Sequence, residues 1–338
     1  MRRLEILFAV YRLIARLSRR QGLEGFKCKR GQDYSVWLIV KIYFALRWLQ
    51  WTPNLFYEKL KLHPRLVRQV LRLPNALPSR SQFFKRVKSR DFLKAAKRIH
   101  EASAAEGFVL REEEQTALID LSPIPSTRTD RHARRGVRET KHGRRIYFHG
   151  YKLGAVCTLS GLTLSATLVT ANKVETSHGV AGTLIRNAAG ALEKAEARLK
   201  YLLGDSQFGK EPIYRHVHRY LKCRLLAPPI KRATIKKYDF PCHRWTTQLE
   251  RRSPHRYRDW LFWKTPTAHT IYEKRREIEH RHSQWKDFPF FVDRRPRGTV
   301  GVQSLLRYEI CMLVFWNLAV IENIRNGRET AKVKAYVA

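Results

Sequence analysis

The sequence predicts an α/β protein with a mixed β-sheet and helices on both faces, preceded by an all-α N-terminal domain. Residues 1 to about 105 carry apolar side chains at helical spacing, whereas short apolar strands alternate with helices from about residue 107 onward. Hydrophobic residues make up 43% of the 338-residue chain, which is enough for a packed core. No repeat with a period of 20 to 50 residues is visible, so a repeat architecture is not expected.

The N-terminal region, residues 1–106, reads as helical throughout. Apolar positions recur at helical intervals in two stretches: Leu4, Leu7, Phe8, Tyr11 and Ile14, then Val36, Ile39, Val40, Tyr43 and Phe44. Pro53, Pro64, Pro74 and Pro78 punctuate shorter segments, and the stretch from Ser79 to Lys88 predicts a capped helix with a basic face. Short helices ending in a basic one are typical of a helix-turn-helix DNA reader, with Arg80, Lys85 and Arg86 as candidate contacts. A helical dimerisation or scaffold module fits the same pattern.

The second domain, residues 107–326, begins with the short apolar strand Thr116–Leu121. The sequence then predicts a basic loop to Arg145, followed by a hairpin of Ile146–Leu159 and Leu162–Thr170. A helix over 177–199, interrupted near Gly190, leads to the strand Tyr201–Asp205, the helix Glu211–Leu221 and the strand Cys223–Ala227. A basic insertion over 230–266 and two helices, Ala268–Trp285 and Val300–Asn326, complete the domain. Residues 327–338 form a tail. Strand, hairpin, helix, strand, helix, strand, helix is the order of a ribonuclease-H-like fold with a five-stranded mixed sheet.

The net charge indicates a polyanionic partner. Lys and Arg total 67 against 29 Asp and Glu, which gives +38 and a pI near 10.6. The basic residues are spread along the chain among Trp, Tyr and Phe, so they do not form a detachable tail. This distribution favours a surface that follows a nucleic-acid backbone, although a coat for anionic membrane or RNA has the same composition.

Cysteine usage and hydropathy point to the cytosol. The five cysteines, Cys28, Cys157, Cys223, Cys242 and Cys311, show no CxxC spacing and are expected to be reduced, mostly buried thiols. Arg2, Arg3 and Glu5 argue against a secretory signal. The most apolar run, Ile310–Ile321, is shorter than the ~18 residues that a membrane span needs, so it predicts a buried helix.

Two aspartates stand at the ends of short apolar strands, Asp120 in Leu118-Ile-Asp-Leu and Asp205 in Leu202-Leu-Gly-Asp. Neighbouring strand ends converge at one edge of a sheet, and carboxylate oxygens there suit Mg²⁺. Either aspartate alone could equally be a turn or a helix cap.

The helix after Thr270 carries a third candidate carboxylate, Glu279. At about 100° per residue Ile271, Ile278 and Trp285 form one stripe, and Tyr272, Arg275, Glu279 and Lys286 form the stripe beside it. Glu277 points about 200° away from Glu279 on the same helix. A solvated face of Arg–Glu ion pairs would give the same pattern. His216-x-His218 and Cys242-His243 match no common zinc spacing.

Several blocks together resemble one family. Tyr272-x2-Arg275-x3-Glu279-x6-Lys286 is similar to the tyrosine–arginine–glutamate–lysine signature of DDE-type insertion-sequence transposases. Five further blocks resemble the strands of that family: the block around Asp120, Gly150-Tyr-Lys-Leu, Ser160-Gly161-Leu, Thr170-Ala-Asn172 and Leu203-Gly-Asp205-Ser-Gln-Phe-Gly. The stretch Leu73–Ser79 resembles the segment that precedes the core of that family. Two departures are Glu175, where Asp is usual, and the unusually basic loop after Asp120.

The resemblance implies that Asp120, Asp205 and Glu279 bind two Mg²⁺ ions, with Mn²⁺ as a substitute, for cleavage at insertion-sequence ends and strand transfer to target DNA. It implies DNA contacts by Tyr272, Arg275 and Lys286, and a DNA-holding segment over 230–266. Within that segment the basic candidates include Lys236, Lys237, Arg251 and Arg252. Trp245, Trp260 or Trp263 could stack on an unpaired base, although at least two of the three are expected to be buried core aromatics. A homodimer on terminal inverted repeats and target DNA, in the cytoplasm of a prokaryote and associated with the nucleoid, is expected. A domesticated DNA-binding protein and a nuclease that does not join remain alternatives.

Overall fold

The structure, a computed structural model, describes residues 2–20, 34–110, 115–127, 129–139, 144–173, 178–228, 250–287 and 301–329. Packing divides the chain into two compact units. Residues 1–103 and 285–338 form the first unit, and residues 104–284 form the second. The break after residue 103 lies near the predicted boundary at 106, but the C-terminal helix packs with the N-terminal helices. The functional domain limits therefore stay a prediction.

The first unit is helical. Its helices are α1 (Arg2–Arg20), α2 (Val36–Trp48), α3 (Pro53–Leu62), α4 (Pro64–Val70), α5 (Arg80–Val87), most of α6 (Arg90–Val109) and the C-terminal helix α12 (Val302–Arg325). Local sequence sets several starts, because Ser35 and Thr52 cap α2 and α3 through their side-chain oxygens. Ser79 and Gln82 form a reciprocal capping box at α5. The predicted capped helix at this position is confirmed.

Helix α12 forms the centre of this unit, packed against α1 and α2. Trp48 of α2 stacks on Phe315 with ring centroids 4.2 Å apart. Two polar contacts tie α12 down: the Asn317 side-chain amide donates to Ser103 Oγ at 3.2 Å, and the Arg307 guanidinium donates to the Lys88 carbonyl at 2.8 Å. Among the described residues α12 is the one helix long and apolar enough to cross a membrane, and 94% of its apolar window is buried inside the fold. The predicted buried helix is confirmed.

The second unit contains a six-stranded mixed sheet. Its strands are β1 (Thr116–Pro125), β2 (Arg134–Glu139), β3 (Arg145–Thr158), β4 (Thr163–Thr170), β5 (Tyr201–Leu203) and β6 (Arg224–Leu226). The order is β2-β3-β1-β5-β6, with β4 also paired to β3. Strands β2, β3, β4 and β1 pair antiparallel, whereas β1, β5 and β6 pair parallel. The predicted fold class is confirmed.

Strand β2 lies in the segment that the sequence analysis assigned to a basic loop. Its residues, Arg-Arg-Gly-Val-Arg-Glu, contain a single strongly apolar side chain, so no buried face is visible in the sequence. The strand forms because β3 is long enough to offer a partner along residues 145–150. The five predicted strands therefore gain a sixth.

Helix α7 (His178–Lys194) covers one face of the sheet. Leu184 and Ile185 of α7 share a buried cluster with Ile119, Leu121 and Val156 of the sheet. Side chains alternate along a strand, so Asp120 lies on the opposite face. The predicted interruption near Gly190 is wrong: the helix runs unbroken through this position from His178 to Lys194.

The remaining helices follow β5. Helix α8 (Glu211–His216) continues as a π-helical turn, Val217–Leu221, and ends at Lys222 with a φ of 53°. After the insertion come α9 (Pro254–Trp263), α10 (Pro266–Glu273) and α11 (Arg276–Asp287). The prediction of one helix over Ala268–Trp285 is wrong, because the chain turns at Lys274 and Arg275 between α10 and α11.

The described cysteines agree with the predicted thiol state. Cys157, Cys223 and Cys311 are buried and form no disulfide with one another. Burial raises the pKa of the Cys223 thiol to about 12. Cys28 and Cys242 lie outside the described residues.

A pH dependence of stability follows from His100 in α6, which is buried with no hydrogen-bond partner for Nε2 among the described residues. Burial, with a smaller contribution from Lys97, lowers its pKa to about 4. The unfolded chain therefore binds this proton more tightly, so stability should fall as the pH drops from about 6.5 towards 4. We expect His100→Leu to remove up to roughly 3 kcal/mol of that pH-dependent loss. Urea unfolding of both proteins across this range measures it. The exposed His63 provides the control, since His63→Gln should leave the wild-type dependence unchanged.

Candidate active site

The site begins with two aspartates on neighbouring parallel strands. β1 and β5 pair from Thr116 with Tyr201 to Leu118 with Leu203, and Asp120 and Asp205 each follow two residues later. Both carboxylates are half-buried. Oδ1 of Asp120 accepts from the Leu121 amide at 2.8 Å, and Oδ1 of Asp205 accepts from the Gln207 amide at 2.8 Å. Asp205 thereby caps the short 3-10 turn Ser206–Phe208, so its role as a local cap is real and leaves the carboxylate at the strand end.

Gly204 allows β5 to end beside β1. Its amide donates to the Leu226 carbonyl at 3.0 Å, which extends the sheet pairing by one residue. A Cβ on Gly204 would come within 3.1 to 3.2 Å of Phe208 and Ile119. That spacing is tighter than ordinary van der Waals contact, so a larger residue would push Asp205 away from Asp120.

Tyr272 of α10 is held beside the two aspartates. Its hydroxyl donates to the Gly204 carbonyl at 3.2 Å, and its ring packs edge-on against Trp263 with centroids 4.8 Å apart. The pKa of Tyr272 is raised to about 12, mainly by burial, and further by Asp205 and Asp120, while Arg275 lowers it. The hydroxyl therefore stays protonated at neutral pH. The pairing of β1 with β5 and the bond from Tyr272 to Gly204 bring Asp120, Asp205 and Tyr272 to the same end of the sheet.

Arg275 stands in the turn that follows α10, close enough to Tyr272 for its charge to be felt there. Its Nε atom is buried and has no hydrogen-bond partner among the described residues. A buried guanidinium donor without a partner is costly, and an anion such as a phosphate oxygen would satisfy it. The site thus pairs two carboxylates with a cation that has donor capacity left.

Glu279 does not join this group. The turn at 274–275 is built from short-range bonds, Arg275 N to Tyr272 O at 2.9 Å and Ile278 N to Arg275 O at 3.0 Å. It interrupts the stripe of Tyr272, Arg275 and Glu279 that a single helix would create. Within the described ranges, no three His, Cys, Asp or Glu side chains lie close enough together to hold a metal ion.

The second helix keeps part of the predicted apolar stripe. Ile278 and Trp285 of α11 are fully buried, whereas Ile271 of α10 is only half-buried. Glu277 and Glu279 are both exposed, so burial does not separate them. The predicted contrast between these two glutamates stays a prediction.

The other predicted DNA contacts are dispersed. Arg80, Lys85, Arg251 and Arg252 are exposed, whereas Arg86 is half-buried and donates to the Tyr34 carbonyl at 2.6 Å. Lys236, Lys237 and Trp245, and the side chain of Lys286, lie outside the described residues. Trp260 is buried and lies beneath Lys264, with Nζ 4.0 Å from the ring centroid. Neither Trp260 nor the half-buried Trp263 has a ring free of protein contacts, so both serve the packing of α9 and α10.

A polar cluster that the sequence analysis did not identify fixes α9 to the sheet. Asp259 is fully buried, and its Oδ2 accepts from the Leu225 amide at 2.9 Å and lies 3.0 Å from His218 Nε2. His218 also stacks on His255 with centroids 4.3 Å apart. Asp259 is the single acidic residue among the basic and aromatic residues of α9, and this pattern could have indicated the polar cluster from the sequence. Since His218 pairs with Asp259 while His216 stacks on Tyr220, the two histidines do not form a metal site.

Comparison with known proteins assigns the chain to a family. The model of the transposase DDE domain family matches residues 111–315, which is more than half of the chain. The chain therefore belongs to the transposase DDE domain family. No curated protein sequence matches it significantly.

Solved structures with some similarity are complexes of Mos1 transposase. The Mos1 paired-end complex with the left transposon end is 9% identical to this chain. The match covers 69% of this chain and 79% of the Mos1 chain, with a TM-score of 0.23. The Mos1 mariner paired-end complex with Mn is 10% identical, covers 71% and 80%, and has a TM-score of 0.23.

The anchoring role of Tyr272 can be measured by Tyr272→Phe. The substitution keeps the ring contact with Trp263 and removes the hydrogen bond to Gly204, so we expect a loss of about 1 kcal/mol in unfolding free energy. Tyr201→Phe is the matched control, because the Tyr201 ring stacks on Phe262 while its hydroxyl makes no hydrogen bond within the described residues. Equal stabilities of the two variants in urea unfolding would contradict an anchoring role.

Proposed function

We propose that this protein is a DNA transposase that cleaves DNA at the ends of an insertion sequence and joins those ends to target DNA. The observation that carries the proposal is the meeting of Asp120 and Asp205 at the ends of paired parallel strands, beside Tyr272 and the partly unsatisfied Arg275. Membership of the transposase DDE domain family and the net charge of +38 support it.

The donor atoms at this point suit a hard divalent cation. Asp120 and Asp205 present carboxylate oxygens, without thiolate or imidazole, which favours Mg²⁺, with Mn²⁺ as a substitute. Glu279 is our candidate for the third ligand, because its exposed carboxylate lies in the first turn of the helix that follows Arg275. When bound, two such ions would activate an attacking water or 3′-hydroxyl and stabilise the leaving oxygen of an in-line displacement.

The chain's own residues would bind and orient the DNA. Arg275 has a donor available for a phosphate oxygen beside the carboxylates, and Lys286 would contribute further along α11. Tyr272 keeps its proton and holds α10 against Gly204, so its contribution is to position Arg275. Binding the reacting phosphate between a fixed cation and fixed carboxylates restricts its motion, which lowers the entropic part of the barrier.

The remaining assignments follow from the same proposal. Residues 1–106 would read the inverted repeats, with the exposed Arg80 and Lys85 as contacts, and the basic insertion 230–266 would hold the end near the site. Joining two ends to one target calls for two active sites, so we propose a homodimer on DNA. Such an enzyme would act in the cytoplasm of a prokaryote, on nucleoid DNA.

One observation favours a second candidate. In the described residues Glu279 stands apart from the two aspartates. A DNA-binding protein of transposase ancestry without catalytic activity would tolerate that separation. The two candidates differ in whether Glu279 matters for DNA cleavage.

The decisive comparison is therefore Glu279→Gln against Glu277→Gln, two identical changes on exposed positions of α11. If Glu279 binds metal, its variant should lose cleavage and joining by at least a hundredfold while still binding DNA, and Glu277→Gln should keep near-normal activity. Both should melt like the wild type, since exposed substitutions change stability by about 0.5 kcal/mol or less. Equal activities of the two variants in an end-cleavage assay would rule out the role of Glu279.

Metal binding has a readout that does not depend on activity. Two adjacent carboxylates repel each other without a cation, so Mg²⁺ should stabilise the fold relative to EDTA. The gain in unfolding free energy should be about 2.7 kcal/mol when the Mg²⁺ concentration is a hundred times the Kd, and it should appear as a higher melting temperature. Asp120→Asn and Asp205→Asn should each abolish this rise, and Glu277→Gln should retain it. A rise that persists in both asparagine variants would move the metal site elsewhere.

A further inference from the structure

The two-stranded ribbon of β2 and β3 has no role in the site described above. β3 pairs with β2 along residues 145–150 and with β1 along residues 150–158. The first half of β3 therefore extends past the end of β1 and carries β2 with it. Between residues 126 and 150 the sequence contains eight Lys and Arg against two acidic residues, so this extension is strongly basic.

One face of the ribbon is open to solvent. In an antiparallel pair, directly opposed residues share a face, and the register pairs Arg135 with His149, Val137 with Tyr147 and Glu139 with Arg145. Val137 and Tyr147 are 45% and 57% exposed, and Arg135 and Arg145 are also exposed. The Arg135 guanidinium lies over the Tyr147 ring at 4.2 Å. The face thus presents exposed cations around an exposed aromatic ring.

The base of the ribbon is fixed to the sheet. Asp130, in the loop before β2, is buried and accepts from Tyr151 Oη at 2.8 Å and from Ser126 Oγ at 2.9 Å. Gly136 lies so close to Ala171 that a Cβ would come within 2.7 Å of the alanine side chain. The exposed face is therefore held in place by contacts at the base of the ribbon rather than by its own exposed side chains.

The ribbon also lies beyond the end of β1 towards which Asp120 stands. β1 runs from Thr116 past Asp120 to Pro125, and Pro125 is opposite Gly150, where β2 begins to pair. Five residues of strand span about 17 Å, so the ribbon starts about that far beyond Asp120. A duplex rises about 3.4 Å for each base pair, so DNA with a phosphate at Asp120 would reach the ribbon within about five base pairs.

We propose that the face formed by Arg135, Val137, Arg145 and Tyr147 is a second DNA-binding surface, one that holds duplex DNA irrespective of its sequence, as target DNA must be held. Two arginines around a ring can neutralise phosphates while the ring lies against the sugars, and a two-stranded ribbon fits the width of a major groove. Val137 and Tyr147 could instead contact a second copy of this chain. Charge opposes that arrangement, because like faces would bring Arg135 and Arg145 of each copy together.

This inference rests on the proposed function, since it assumes that the protein acts on DNA. The experiment measures the affinity of the full chain for a random-sequence duplex without inverted repeats, at several salt concentrations. Arg135→Gln with Arg145→Gln should weaken binding about tenfold or more near 0.1 M salt and reduce the log–log salt slope by about 1.8, which is 0.9 for each phosphate that is no longer neutralised. Thermal melting should be unchanged, because both side chains are exposed.

The control removes two charges at the other end of the same sheet. Arg198 and Lys200 are exposed just before β5, whose start pairs with Thr116 at the start of β1. Arg198→Gln with Lys200→Gln should leave the salt slope at the wild-type value. Equal slopes for the two double variants would overturn the ribbon as a DNA surface, and a ribbon variant that binds duplex normally but no longer self-associates would assign the face to a second copy.

Failure of this inference can be distinguished from failure of the proposed function. Cleavage of a duplex with the element's end, measured on the wild type, tests the proposed function alone. Normal end cleavage together with an unchanged slope in the ribbon variant refutes only the ribbon, whereas a wild type that binds no duplex refutes both. Tyr147→Ala, which leaves the charge intact, should weaken binding with no change in slope; a change in slope would contradict the assignment of phosphate binding to the two arginines.

Discussion

The parallel pairing of β1 with β5 is the constraint on which the site depends. Three register pairs, from Thr116 with Tyr201 to Leu118 with Leu203, bring Asp120 and Asp205 together from positions 85 residues apart in the chain (205 minus 120). Such short strands would not hold without the buried cluster beneath them, where α7 packs on Ile119, Leu121 and Val156. The free energy of that apolar burial is what keeps two like charges close together.

Anchoring of α10 is the second requirement, and it explains the shape of the segment over 266–287. Tyr272 is tied to Gly204 and Trp263, while Ile278 is fully buried a few residues later. One straight helix would have to keep the contacts of Tyr272 and the burial of Ile278 at the same time. The chain instead turns at Lys274 and Arg275, although neither Gly nor Pro stands there, and the turn leaves the Arg275 Nε without a partner in the described part of the chain. A local departure from helical geometry thus coincides with available donor capacity near the carboxylates.

Local signals in the sequence were sufficient for much of the fold. Capping residues and helical spacing predicted α2 and α5, and the alternation of apolar strands with helices predicted β1, β3, β4, β5 and β6. These features depend on interactions between residues a few positions apart, such as Ser79 with Gln82, so they can be inferred without knowing the tertiary contacts. Strand β2 could not be predicted in this way, because its formation depends on the free edge of β3 rather than on its own side chains.

The sequence by itself determined the fold class, the positions of Asp120 and Asp205 at strand ends, and the excess of positive charge. Hydrophobic periodicity and composition carry that information directly. Only the tertiary structure decided that Tyr272 anchors against Gly204, that the helix divides before Glu279, and that the basic loop becomes a ribbon with Arg135 over Tyr147. Each of these depends on a contact with a residue distant in sequence or on another strand, and the energy of such a contact overrides the local helical or loop preference.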